Sequence, residues 1–133
     1  MRYLLDTNVC IRYLNGQSET IRQQLSMKTP EEIVLCSVVK AELIYGARKS
    51  RNPSKNLQRL HLFTGPFISL PFDDKAAEAY GRIRSELEQA GTPIGPNDLL
   101  IAAIAVANDI ILVTHNTGEF GKIGALHIED WES

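Results

Sequence analysis

Short apolar runs alternate with helical segments along this chain. Tyr3, Leu4 and Leu5 form a continuous apolar run, the pattern of a strand buried on both faces, and Asp6 marks its end. Thr7 or Asn8 can cap a following helix in which Val9, Ile11 and Leu14 share a buried face before Asn15 and Gly16 stop it. Ile21 and Leu25, four apart within Glu19 to Met27, predict a second amphipathic helix ended by Pro30. Ile33 to Cys36 reads as a second buried strand. Ser37 is placed to cap a helix running to about Lys49, with Val39, Leu43, Gly46 and Ala47 on one face. Glu42 lies next to that stripe and is expected at the border of the buried face.

Phe67, Ile68 and Leu70, between Gly65-Pro66 and Pro71, predict a third strand. Asp73 or Asp74 can cap a helix to about Ala90, where Ala76, Tyr80, Ile83 and Leu87 recur at steps of three or four and Gly91 closes the last turn. The breaker-rich loop Thr92 to Pro96 places Asn97 and Asp98 at the start of the next helix, which ends near Asn108. That helix is apolar on every side and must be central. Its carboxylate, Asp98, falls in a first turn where unpaired N–H groups and the helix dipole favour negative charge. Ile110 to Val113 forms a fourth strand, and the polar loop Thr114 to Phe120 leaves its carboxyl end. Leu126, His127 and Ile128 predict a last strand before a tail containing Trp131. The alternation predicts one α/β domain over residues 1–133 with a mainly parallel sheet, without internal repeats or linkers.

Composition narrows the function classes. With 44% hydrophobic and 23% charged residues the chain is ordinary for a soluble domain, and no apolar run approaches the roughly 20 residues of a membrane helix. Three apolar residues before a polar turn are too few for a secretory signal, so a cytoplasmic location is expected. Cys10 and Cys36 have no CxxC spacing and read as reduced core residues. A net charge of -2 argues against a basic coat for nucleic acid. Setting four clustered carboxylates aside, however, leaves twelve acidic against fourteen basic side chains. The basic residues are densest at Arg48, Lys49, Arg51, Lys55 and Arg59, either a ridge for phosphate contacts or a solvated helix hairpin.

Four acidic residues stand where elements leave successive strands: Asp6, Glu42, Asp98 and Glu119. Open α/β sheets bind ligands at that carboxyl edge. Singly, Asp6 and Asp98 read equally well as helix caps, and Glu42 as a solvated glutamate. Together they form an all-oxygen set suited to Mg²⁺ or Mn²⁺, ions that activate water and stabilise a leaving oxygen in phosphodiester hydrolysis. The three histidines show no HExxH spacing, and neither a GxSxG elbow nor a GxxxxGK[ST] loop is present. His115 is a candidate RNA contact or simply an exposed loop residue. A phosphoacceptor role for Asp6 lacks the second acid of a DxD pair and a lysine partner.

Asp6-Thr7-Asn8 after a strand, Ala41 to Ala47 in a helix, Gly95-Pro96-Asn97-Asp98 with the apolar helix, and Thr114 to Phe120 resemble the motifs of PIN-domain ribonucleases, in their order and separation. More narrowly they resemble the VapC toxins of VapBC toxin–antitoxin modules, and the resemblance covers nearly the whole chain, through Glu129-Asp130-Trp131. It implies a three-layer α/β/α domain with a five-stranded parallel sheet and Mg²⁺- or Mn²⁺-dependent cleavage of structured RNA, commonly in tRNA or ribosomal RNA loops. By motif, Asp6 and Asp98 are the principal metal ligands and Glu42 the third acidic member, while Asn116 and Glu119 compete for the fourth position. Thr7 and Asn8 would hold the turn that aims Asp6. The resemblance further implies a homodimer, a VapB antitoxin that fills the acidic groove, and promoter DNA contacted through that antitoxin. The alternative is a catalytically silent PIN-like domain that grips RNA or protein; a vacant acidic position would favour it, and here none is vacant.

Overall fold

Strands of two to four residues are stable when each pairs with a neighbour in one sheet and helices cover the faces of that sheet. The computed structural model, which describes residues 1–132, meets that requirement with a single sheet. Its strands are β1 (Tyr3–Leu5), β2 (Ile33–Cys36), β3 (Ile68–Leu70), β4 (Ile111–Val113) and β5 (Ile128–Glu129). They lie in the order β3-β2-β1-β4-β5 with each neighbouring pair parallel. The helices are α1 (Thr7–Leu14), α2 (Glu19–Ser26), α3 (Ser37–Arg48), α4 (Pro53–Thr64), α5 (Asp74–Gln89), α6 (Pro96–Ala107) and α7 (Thr117–Phe120). The parallel α/β domain expected from the strand and helix alternation, in the five-stranded form that the family resemblance implies, is the one observed.

Chain order decides where a site can form. From β1 the sheet grows one way through β2 to β3, then the chain crosses back to add β4 and β5 on the other side of β1. Right-handed crossovers place the two sets of helices on opposite faces, and a crevice opens between β1 and β4 where the order reverses. The central strands are fully buried at Leu4, Leu5, Val34, Leu35, Leu112 and Val113. In α6, Ile101 to Ala105 are without exposure, as the all-apolar pattern required, and its small alanines allow close packing against α5. At the sheet margin Ile68 of β3 is 58% exposed, as its edge position dictates.

Several local expectations are corrected. Asp6, rather than Thr7 or Asn8, is the N-cap of α1, because the helix begins one residue earlier. That start centres the buried face on Val9 and Cys10 and leaves Ile11 exposed. Ser37 opens α3 instead of capping it, and its hydroxyl donates to the Leu70 carbonyl. Gly95 holds the N-cap position of α6, which frees Asn97 for another contact. The last strand forms two residues later than Leu126, since its register is set by Leu112 opposite Ile128 and Val113 opposite Glu129. The loop after β4 contains a helical turn, α7, closed at Gly121, where a Cβ would run into the Thr117 carbonyl.

Candidate active site

Asp6 is 5% exposed and uses both of its oxygens. Oδ1 accepts the Thr7 backbone N–H at 2.8 Å, the capping bond, while Oδ2 accepts the Thr114 hydroxyl at 2.8 Å. The cap and the functional carboxylate are therefore compatible readings of one residue. Thr114 directly follows β4 as Asp6 follows β1, so this buried bond spans the point where the strand order reverses.

Glu42 joins three helices. Its Oε1 accepts the Thr7 hydroxyl at 2.6 Å and its Oε2 the Asn97 carboxamide at 3.3 Å, tying α3 to the starts of α1 and α6. On the other side of Asp6, the Thr114 hydroxyl accepts the Asn116 backbone N–H at 3.0 Å. The Asn116 carboxamide donates to Glu119 Oε2 at 2.7 Å, and Glu119 Oε1 accepts the Gly95 N–H at 2.7 Å. Asp98, in the first turn of α6, is hydrogen-bonded to Glu119. Thus Asp6, Glu42, Asp98 and Glu119, from four separate segments, share one connected set of polar contacts. Asn116 turns onto Glu119, so the two expected competitors for one position occur as a pair.

The charges show the cost of this convergence. Burial raises the Asp98 carboxyl to about 7, with the bond to Glu119 and the negative charges of Asp6, Glu119 and Glu42 acting in the same direction. Burial also raises Asp6, against the opposing bonds from Thr114 and Thr7. Glu119 is lowered, chiefly by the Gly95 N–H and further by the Asn116 carboxamide. Such a set, lacking charge balance and composed of oxygens, fits a hard divalent cation. Its oxygens are spread more widely than those of a second group, His115, Asp130 and Glu132, whose candidate ligand atoms lie within 4.8 Å of one another. There Glu132 already pairs with Arg12 Nε at 2.5 Å and His115 contacts Asp130 at 3.0 Å.

The other predicted residues make none of these hydrogen bonds to the four carboxylates. Asn8 is exposed and lines a concavity of about 690 Å³ with Asp6, Arg12 and His115. Arg48, Arg51 and Lys55 are exposed around the α3–α4 turn, and the Lys49 ammonium lies over the Tyr45 ring. Arg59 is exposed on α4, and its guanidinium is bonded to the Leu14 carbonyl at the end of α1 and to Asn56. Both cysteines are buried, and burial raises the thiols, Cys36 to about 11, which leaves them inert. Sequence reasoning missed Thr114, Gly95 and the Asn97 contact. Only for Thr114 was there a signal, a hydroxyl residue following β4 at the edge where Asp6 follows β1.

Residues 3–126 match the PIN domain family. The chain belongs to that family. This PIN domain is 38% identical over 131 residues to the tRNA(fMet)-specific endonuclease VapC of Shigella flexneri, with 98% of each chain covered. It is also similar to a crystal structure of VapBC2 from Rickettsia felis bound to a fragment of promoter DNA, with TM-score 0.91, 39% identity, and 98% of this chain and 99% of that chain covered. DNA-bound VapBC from Salmonella typhimurium aligns with TM-score 0.93 and 39% identity over 98% of each chain. The resemblance drawn from four short motifs thus extends through the whole PIN domain. Among its described residues no helix is long and apolar enough to cross a membrane.

Proposed function

We propose that this chain is the toxin of a toxin–antitoxin pair, an endoribonuclease that hydrolyses phosphodiester bonds in structured RNA such as tRNA with Mg²⁺ or Mn²⁺. The observation that carries this reading is the convergence of Asp6, Glu42, Asp98 and Glu119 at the reversal of strand order, with Asp98 raised to about 7 by burial and by its acidic neighbours. Carboxylates repel one another, and their assembly is explained by a cation that they hold together. Asp6 and Asp98 would hold the ion directly; Glu42 and Glu119 would hold it directly or through water. A divalent ion bound there supplies an acidified water and charge neutralisation at the phosphate. Thr114 and the Thr7 N–H fix the orientation of Asp6, while Asn116 and the Gly95 N–H fix Glu119. Asn97 and the Thr7 hydroxyl do the same for Glu42.

The relatives support the substrate and the partner. The Shigella flexneri relative is named for cleavage of tRNA(fMet), and the Rickettsia felis and Salmonella typhimurium neighbours are VapBC assemblies on DNA. By this analogy the PIN domain pairs with a VapB antitoxin and reaches promoter DNA through it, and the motif resemblance adds a homodimer working in the cytoplasm. End-mapping of RNA shortly after induction, with Asp6→Ala alongside, tests the chemistry. Metal-activated water leaves 5′-phosphate and 3′-hydroxyl ends, and cleavage stops in EDTA and in the variant. Cyclic phosphate ends, or full activity in EDTA, would refute this mechanism, and RNA binding without turnover would restore the silent binding module.

The basic turn, Arg48, Lys49, Arg51, Lys55 and Arg59, is assigned to RNA guidance. Neutralising Arg48, Arg51 and Lys55 together should weaken RNA binding and flatten its salt dependence by about 2 in log–log slope, at roughly 0.7 per phosphate contact. An unchanged slope in binding measured across a salt series would remove the turn from the RNA interface.

A further inference from the structure

Tyr45 follows Glu42 by three residues on α3, so the two side chains share a face of the helix. It is 65% exposed, more than any other aromatic side chain among the described residues. The Lys49 ammonium lies 4.9 Å from its ring centroid, covering one face of the ring. Between α3 and α6 is a concavity of about 440 Å³, lined by Tyr45, Glu42, Asn97 and Ser37 together with Val38, Ala41 and Leu100. Apart from Glu42 and Asn97, its lining has no part in the metal chemistry or the basic turn.

We propose that the α3–α6 pocket receives an unstacked nucleobase of a single-stranded RNA segment, from a nucleotide next to the scissile phosphate, and that Tyr45 is its stacking platform. The inference rests on the nuclease reading above. Continuity with the carboxylates argues for a substrate base: Glu42 is a wall of the pocket and also receives the Thr7 hydroxyl beside Asp6. The lining has the chemistry of base recognition, an aromatic face, apolar carbons and one carboxamide for a base edge. Sugar and phosphate have no comparable attraction to that lining. Lys49 serves at the rim, where its charge offsets the repulsion between Glu42 and the RNA backbone.

The test compares wild type, Tyr45→Phe and Tyr45→Ala for binding to short labelled oligouridine and oligoadenosine, and to an abasic ribose–phosphate oligomer of the same length. Fluorescence anisotropy is read with Ca²⁺ replacing Mg²⁺, and light scattering reports the oligomeric state. Tyr45→Ala should weaken binding of at least one base-bearing oligomer by roughly tenfold to a hundredfold, the worth of one base–aromatic stack. It should leave abasic binding unchanged, and Tyr45→Phe should bind as wild type does. Equal affinity of wild type and Tyr45→Ala for every oligomer would overturn the proposal. So would an equal loss on base-bearing and abasic oligomers, or a variant whose only change is dissociation of a dimer, which would mean that a second copy covers Tyr45. Cleavage assays in Mg²⁺ separate the two readings: a Tyr45-dependent base preference without turnover supports the pocket and rejects the nuclease. Turnover with no Tyr45 dependence does the reverse.

Discussion

Asp98→Asn is expected to stabilise the metal-free protein while removing RNA cleavage. In the folded state Asp98 titrates at about 7, well above the 3.8 of an unperturbed aspartate. Its contribution to stability is fully present below about pH 4, where folded and unfolded chains both hold the proton, and is lost as pH rises toward 7. Above that, the folded protein carries a desolvated charge facing Asp6, Glu119 and Glu42. Asparagine removes this charge and retains the size of the side chain. The whole shift would correspond to roughly 4 kcal/mol. Because Asp98 is only half-buried and water screens it, a gain of about 1–2 kcal/mol at pH 8 is expected. Asp6, also raised, contributes in the same sense, whereas Glu119, lowered, contributes stability that is lost as pH falls. Urea unfolding of both proteins in EDTA at pH 5 and pH 8 checks the prediction, with the two curves converging at the lower pH. Cleavage in Mg²⁺ should fall by roughly 100-fold or more, since residues that merely orient a metal ligand are worth 10–100-fold. A variant less stable at pH 8, or one that still cuts, would contradict the assignment.

Phe120→Ala should cost about 3–5 kcal/mol of stability, a large share of the roughly 5–15 kcal/mol that holds a domain together. Phe120 has no exposed surface and is the largest of the fully buried side chains. It is also the residue after Glu119, and its side chain is the buried anchor of the four-residue helix that presents Glu119 and Asn116. A helix that short has no stability of its own. The loss should therefore extend beyond the unfolded fraction: even where the variant is folded, divalent-ion affinity measured by calorimetry should drop, and Phe120→Leu should recover much of it. A stability loss below about 1 kcal/mol, or unchanged ion affinity in the folded variant, would show that α7 is held by its polar contacts alone.

Much of this architecture was legible because each element carries its own local signature. The apolar runs of β1 and β2 and the wholly apolar α6 are legible to within a residue or two because burial on all sides leaves no polar positions, and α5 because its cap and its one apolar face recur at helical spacing. Failures came where a residue had two uses. Asn97 and Ser37 have the composition of caps, but in the fold they face Glu42 and Leu70, partners 55 and 33 residues away.

By itself, the sequence determined that four carboxylates follow successive elements of a parallel α/β domain, because the order of strand, turn and helix is encoded locally. Tertiary structure alone decided that they meet. Convergence depends on strand order, and the reversal between β1 and β4 places Asp6 against Thr114 across 108 residues of chain. It decided also that Asn116 pairs with Glu119, and that burial raises the Asp98 carboxyl while the Gly95 N–H lowers that of Glu119. Those outcomes follow from burial and from the distance between charges, neither of which exists until the sheet has closed around them.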